Sequence, residues 1–233
     1  MTKPSSLLRV FPLVAALAVA PGCFDFDFDH NGPHHDHDVI GSGRVITEPR
    51  SVGGFDAISL SGVGRLYVTQ TGSESLEITA EDNVLRELRS DVVGGRLILG
   101  PEPGTSISNV RDIEYRLTVA RLHEIEVTGA CDVFLEGLDT PRLRILASGS
   151  SRITADGSAE RQDLRFSGTS IYRAEDLDSR DVDVEVSGAS FLQVRASDRL
   201  EGSLSGSSIL EYFGRPTVRV STSGASVIRH GGD

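Results

Sequence analysis

Ser148-Gly149-Ser150-Ser151, Ser167-Gly168-Thr169-Ser170, Ser187-Gly188-Ala189-Ser190, Ser205-Gly206-Ser207-Ser208 and Ser223-Gly224-Ala225-Ser226 are five copies of one phrase, and Thr128-Gly129-Ala130-Cys131 is a sixth. In chain order the six glycines are 20, 19, 20, 18 and 18 residues apart. A fixed period of this size is the signature of a solenoid, in which each repeat packs on its neighbours.

The residues around each phrase say what kind of solenoid. The fifth, third and first positions before it tend to be apolar, as in Leu143, Ile145 and Ala147 or Val182, Val184 and Val186. Charged residues such as Arg144, Asp163, Arg165, Asp183 and Glu185 stand between them. A period of two predicts a half-buried strand. A second alternation follows each phrase, in Val133 and Leu135, Ile153 and Ala155, Tyr172 and Ala174, Leu192 and Val194, and Leu210 and Tyr212. The phrase is then a corner between two strands, where glycine allows a turn or a close approach that a Cβ would block. Strands from successive coils pair in parallel ~4.8 Å apart, with right-handed connections. The predicted fold is all-β, a right-handed parallel β-helix with coils of about 20 residues.

Serine and threonine at the corners can hydrogen-bond backbone groups that a tight turn leaves unpaired. Cys131 stands where the other phrases carry Ser151, Ser170, Ser190, Ser208 and Ser226, so it reads as a serine replacement. A nucleophilic role would need a base, for which His123 is the nearest candidate in sequence.

Upstream, residues 55–68 have the same grammar around Ser61-Gly62 and predict a first coil. Residues 76–80 and 97–99 read as strands. Val84, Leu85 and Leu88 could make one helical turn, but alternating strands suit their surroundings better. Residues 100–109 are expected to protrude as a loop. The opening stretch 55–68, the strand at 95–99 and the run of Ser-Gly-x-Ser corners resemble the auto-transporter adhesin, head GIN domain family, over residues 41–230. The resemblance implies a β-helical envelope protein, often a lipoprotein, and supplies no catalytic residue.

The 233 residues carry 34 acidic and 23 basic groups, for a net charge of −11. Without a basic cluster this excludes nucleic acid as a partner. Residues 1–22 have a basic start, Lys3 and Arg9, and an apolar run too short to span a bilayer, which reads as a secretion signal. Ala20-Pro21-Gly22-Cys23 resembles the lipobox of bacterial lipoproteins, with Cys23 as the lipid attachment site and a membrane-anchored location in the cell envelope. Residues 23–40 are expected to be an Asp/His-rich tether, and residues 41–233 the folded domain. His30, His34, His35 and His37 are metal-ligand candidates in that tether, although its first reading is a solvated spacer.

No P-loop, dinucleotide fingerprint, zinc spacing or nucleophile elbow occurs, and no cofactor is implied. The expected function is a lipid-anchored binding or adhesin-like module for an envelope or extracellular ligand, carbohydrate or protein, with homo-oligomerisation open. The alternatives are a carbohydrate-active enzyme on the same scaffold and a purely structural envelope protein. One column suggests a site. Four residues before each phrase stand Glu124, Arg144, Asp163, Asp183, Glu201 and Arg219, so Asp163, Asp183 and Glu201 would stack as an acidic patch. That patch reads either as a solvated face balanced by Arg165 or as a cation or carboxylate-pair site.

Overall fold

The structure is a computed structural model and describes residues 37–108, 110 and 112–232. The first part of the chain forms β1 (His37–Ile40), β2 (Val45–Arg50), β3 (Ala57–Gln70), β4 (Ser75–Glu81), β5 (Leu88–Val93), β6 (Arg96–Pro101), β7 (Thr105–Ser108) and β8 (Glu114–Val119). The repeats follow as β9 (Glu124–Gly149), β10 (Arg152–Gly168), β11 (Ile171–Asp178), β12 (Asp181–Gly188), β13 (Phe191–Arg195), β14 (Arg199–Gly206), β15 (Ile209–Phe213), β16 (Thr217–Thr222) and β17 (Val227–Gly232).

Like stacks on like through the repeats. Gly149 pairs with Gly168, Gly168 with Gly188 and Gly188 with Gly206, in parallel ladders without slippage at the corners. Interior columns are continuous: Ile145, Leu164 and Val184 in the strand before the corner and Val133, Ile153, Tyr172, Leu192 and Leu210 in the strand after it are all buried. Alternation keeps one face of each strand in this core, and a one-residue slip would turn every apolar side chain outward.

The glycine column has a steric cause. A Cβ on Gly168 (φ +102°) would lie 2.4 Å from the Gly149 carbonyl oxygen, and one on Gly188 (φ +117°) 2.3 Å from that of Gly168. Successive corners approach too closely for any side chain. The serine column behind them is buried and hydrogen-bonded as expected: Ser170 N donates to Ser190 Oγ at 3.3 Å, Ser208 N to Ser226 Oγ at 3.3 Å, and Ser151 Oγ to Gly129 O at 3.2 Å.

Parallel pairing does not run throughout. The 15-stranded sheet is mixed, because β2 with β4, β4 with β8 and β5 with β6 are antiparallel. Nor does coil order follow chain order. β3 lies between β9 on one side and β6 and β8 on the other, with Gly62 opposite Gly129 and Ile58 opposite both Leu97 and Ile125. β6 and β8 thus occupy the two strand positions of a further coil whose corner is opened by an insertion. The antiparallel strands cover the end of the interior beyond it, which a stack of parallel coils cannot do by itself.

Three local expectations are corrected here. Leu85–Glu87 form a single 3-10 turn rather than a strand, with Val84, Leu85 and Leu88 buried beneath it. Residues 100–109 do not simply protrude: Gly100 and Pro101 finish β6, and β7 pairs in parallel with β1. The last four residues of the expected tether are that strand β1, whose Val39 is buried in the core.

Candidate functional site

Four outward rows run along the strands before the corners. The acidic column is real: Asp163 pairs with Arg144 and Asp183, Asp183 with Glu201, and Glu201 with Arg219. Glu124, Asp163 and Glu201 are met by arginines from neighbouring coils, whereas among the described residues no ion pair reaches Asp183. Arg142 bonds Asp163, Arg144 Nη1 lies 3.5 Å from Glu124, and Arg219 Nη1 lies 3.5 Å from Glu201. Arg165, expected to balance the patch, pairs with Glu185 in the adjacent row.

The strongest electrostatic centre is a residue that the sequence reading passed over. Asp181 opens β12 beside this column, and its side chain is only 7% exposed. Arg199 donates to it from Nε and Nη2 at 2.9 and 3.1 Å, Arg180 Nη2 donates at 2.9 Å, and Arg161 Nη2 is 3.7 Å away. The bonds from Arg199, followed by those from Arg180, hold the Asp181 carboxyl well below the usual carboxylate range against the opposing effect of burial. The signal was present six residues before the four middle phrases, where Arg142, Arg161, Asp181 and Arg199 align as a row of arginines interrupted by one acid.

Asp163, Asp181, Asp183 and Glu201 border a shallow cavity of about 230 Å³ together with Arg161 and Arg199. Arginine therefore faces the acids across the site where a cation was considered. Among the described residues no group of three or more His, Cys, Asp or Glu side chains is placed to hold a metal ion. A glycosidase acid needs a carboxyl kept protonated near neutrality, and Asp181 is shifted the opposite way. Of the histidine candidates, His37 lies in β1 with Nδ1 3.9 Å from Glu87, while His30, His34 and His35 lie outside the described residues, as does Cys23.

A second, larger groove of about 440 Å³ follows the other two rows. Its floor is a hydroxyl ladder of Ser148, Ser167, Ser187 and Ser205, flanked by Arg165 and Glu185. These hydroxyls serve the scaffold in part: Ser148 Oγ donates to Thr128 Oγ1 at 3.2 Å, and Ser205 Oγ to Val186 O at 3.1 Å.

The half-exposed aromatic rings are already engaged. Tyr67 stacks on Phe134 at 4.9 Å with 9° between the planes, and the Arg116 guanidinium covers Tyr67 at 5.2 Å. Arg229 lies over Phe191 and Arg195 over Phe213, at 5.8 and 5.7 Å, and Tyr212 packs on His230. Sugar recognition that depends on stacking against a bare ring face has little to use here.

Cys131 is buried, and its Sγ donates to Gly62 O at 3.4 Å, the bond that Ser151 makes one coil further on. Burial pushes the thiol up to about 11, the reverse of what a nucleophile needs. His123 is turned to Asp56, with Nδ1 3.3 Å from its carboxylate.

In-register coils, neutralised polar rows outside and an inert serine ladder at the corners define an all-β repeat protein that presents side chains at fixed spacing. The model of the family described as "Putative auto-transporter adhesin, head GIN domain" matches residues 54–216, and the chain belongs to that family. A crystal structure of a putative adhesin from Bacteroides fragilis is similar, with 23% identity and a TM-score of 0.67, over 82% of this chain and 99% of that one. A putative adhesin from Parabacteroides distasonis shares 17% identity at a TM-score of 0.55, covering 82% and 99%. A putative lipid binding protein from the same species shares 18% at 0.52, covering 83% and 99%. At these identities the likeness concerns the fold. No curated protein matches the chain.

Proposed function

We propose that this protein is a non-enzymatic, adhesin-like binding module of the bacterial cell envelope, anchored through lipid on Cys23. Its coils wind as a right-handed parallel β-helix. The winding is supported by parallel ladders at 18 to 20 residue intervals between β10, β12 and β14, together with the strong preference of parallel crossovers for one hand. The observation that carries the functional reading is the outer surface itself. Rows of hydroxyl and charged side chains repeat from coil to coil around the 440 Å³ groove, while the buried thiol of Cys131 is chemically silent. Such an array suits many weak contacts to an extended ligand better than one reactive centre. Covered aromatic rings favour a protein or other polar polymer over a stacked sugar.

Two measurements test this. Fractionation of cells expressing the chain and its Cys23→Ala variant is expected to move the protein from membrane to soluble fractions, and an unchanged membrane pool would remove the anchor. Incubation with a polysaccharide panel is expected to release no reducing ends. Catalytic release abolished by Asp183→Asn would replace this reading with the enzymatic one.

A further inference from the structure

We infer that the cavity between Arg142, Arg161 and Arg180 is a binding site for an oxyanion group, a sulfate, phosphate or carboxylate, either free or carried on a larger ligand. The site is separate from the serine groove, so what binds here need not be what binds there.

In the sequence Arg142, Arg161 and Arg180 stand 19 residues apart, so no basic run marks them. Stacking of the coils brings them together. Arg161 lies directly opposite Arg142 in the ladder of β9 and β10, and both side chains are exposed. Arg180 stands one residue before Asp181, which is opposite Arg161 in β12. With Pro141 and Glu160 the three arginines line a cavity of about 140 Å³.

Like charges directly opposite each other across a ladder are destabilising, and the acids at hand answer only part of this. Arg142 turns Nε and Nη2 to Asp163. Arg180 donates to Asp181 from Nε and Nη2 at 3.1 and 2.9 Å, and its Nη1 is 3.1 Å from Glu160. Arg161 is treated differently. Its one acid is Asp181, 3.7 Å away, and Asp181 already accepts four N–H bonds, two from Arg180 and two from Arg199. A carboxylate has about four acceptor positions. Asp181 therefore attracts a third arginine by charge and has no hydrogen bond left for it. The Arg161 side chain is 46% exposed and makes no hydrogen bond among the described residues.

An oxyanion between Arg161 and Nη1 of Arg142 would accept from both and separate two facing like charges. The guanidinium fork matches sulfate, phosphate and carboxylate oxygens in geometry as well as charge. The volume is well below the roughly 300–1,000 Å³ of sites for drug-sized ligands, which suits one compact group. Beyond Arg180 a cavity of about 590 Å³ carries Arg195 and Arg215, with Asp178 as the acid of its lining, and gives a larger ligand room to extend. Three arginines with acids beside them, in a chain of net charge −11, are too few to hold a nucleic-acid backbone.

Two arms test the site on the purified chain. In the first, arginine side-chain NMR is followed during titration with sodium sulfate or sodium phosphate. The Nε–H signal of Arg161 is expected to shift saturably, while that of Arg173, an exposed arginine outside the cavity, stays in place. The second arm compares retention on immobilised dextran sulfate with retention on uncharged dextran. Arg161→Gln is expected to weaken whichever binding is seen by roughly tenfold, and Arg173→Gln, the same change of charge elsewhere, by less than about twofold. Arg161→Gln is also expected to leave Tm no lower, since it removes one of two opposed like charges. A saturable shift without retention on dextran sulfate assigns the site to a free oxyanion, and retention that depends on Arg161 assigns it to a group borne on a polymer. No saturable shift up to about 50 mM anion together with no retention overturns the proposal. So do equal losses from Arg161→Gln and Arg173→Gln.

Discussion

Gly168→Ala adds a single carbon where two coils touch. The new Cβ would lie 2.4 Å from Gly149 O, 3.0 Å from its N and 3.2 Å from its C, and real Cβ atoms essentially never come within 3.0 Å of such neighbours. All three atoms are backbone, so no side chain can swing aside. The oxygen in the way also accepts a hydrogen bond from Thr169 N at 2.8 Å, and moving it weakens that bond. Holding an alanine at φ +102° costs roughly 1–3 kcal/mol, and a displaced or unsatisfied backbone bond costs roughly another 1–3 kcal/mol. The expected loss is therefore roughly 2–6 kcal/mol, which at ~2–4 °C per kcal/mol for a domain of this size lowers Tm by roughly 4–24 °C. Two controls separate the contributions. Gly137→Ala, with φ +65° and open space where the new Cβ would go, pays for conformation alone, about 1 kcal/mol. Exposed Arg173→Ala is expected to stay within about 0.5 kcal/mol of the parent. Thermal melts of the three variants decide the matter: a Gly168→Ala protein as stable as Gly137→Ala would show that the corners do not constrain the coil spacing.

Cys131→Ser converts the first member of the corner ladder to the residue used in the others and is expected to shift Tm by no more than a few degrees. In a Cys23→Ala background, Cys131 is expected to react with iodoacetamide at pH 8 at least roughly two orders of magnitude more slowly than a free thiol near 8.5, because its value is pushed up to about 11; labelling at the unfolded rate would place it outside the core. The lowered Asp181 carboxyl gives acid sensitivity a definite sign. Its contribution is fully present above the unfolded carboxylate value near 4 and is lost as pH falls through the lower folded value. Asp181→Asn is therefore expected to destabilise the protein at pH 7 and to flatten its stability profile below about pH 4; parallel profiles for parent and variant would contradict that.

The corner column was legible because sterics leave one solution at each contact, and the chain states it repeatedly. The alternation beside it needed only a period of two. What stayed hidden depends on contacts that period does not encode. Gly62 stacks on Gly129 although a long excursion separates them, and nothing local announces that β6 and β8 return to the opposite side of β3. Gln162 breaks an apolar column, yet it is fully buried because Tyr172 OH donates to its Oε1 at 2.8 Å and its Nε2 donates to Ser179 Oγ at 2.7 Å. Its partners lie across the interior from it, so no reading of one strand supplies them. The acidic column was found by its offset from the corner, but its charge balance was assigned to the wrong arginine. Whether Arg165 turns toward Asp163 or Glu185 is a choice between neighbours in three dimensions.

Ion pairing runs along the stack. Arg152 meets Asp132, Arg165 meets Glu185, Arg199 meets Asp181, Arg219 meets Glu201 and Arg229 meets Glu211, each joining one coil to the next. Apart from the one to the mostly buried Asp181, an exposed pair of this kind contributes only about 0–1 kcal/mol, so these are a minor source of stability beside the buried columns. Their effect on register is larger. Sliding one coil by a single residue would turn its apolar set outward, and sliding it by two would restore the alternation but carry each arginine away from its acid and each corner glycine onto a residue with a Cβ. The core excludes the odd slips, while the glycines and ion pairs exclude the even ones. A stack fixed in this way holds its outer rows at constant spacing whatever residues occupy them, which leaves the surface free to change its ligand without changing the fold.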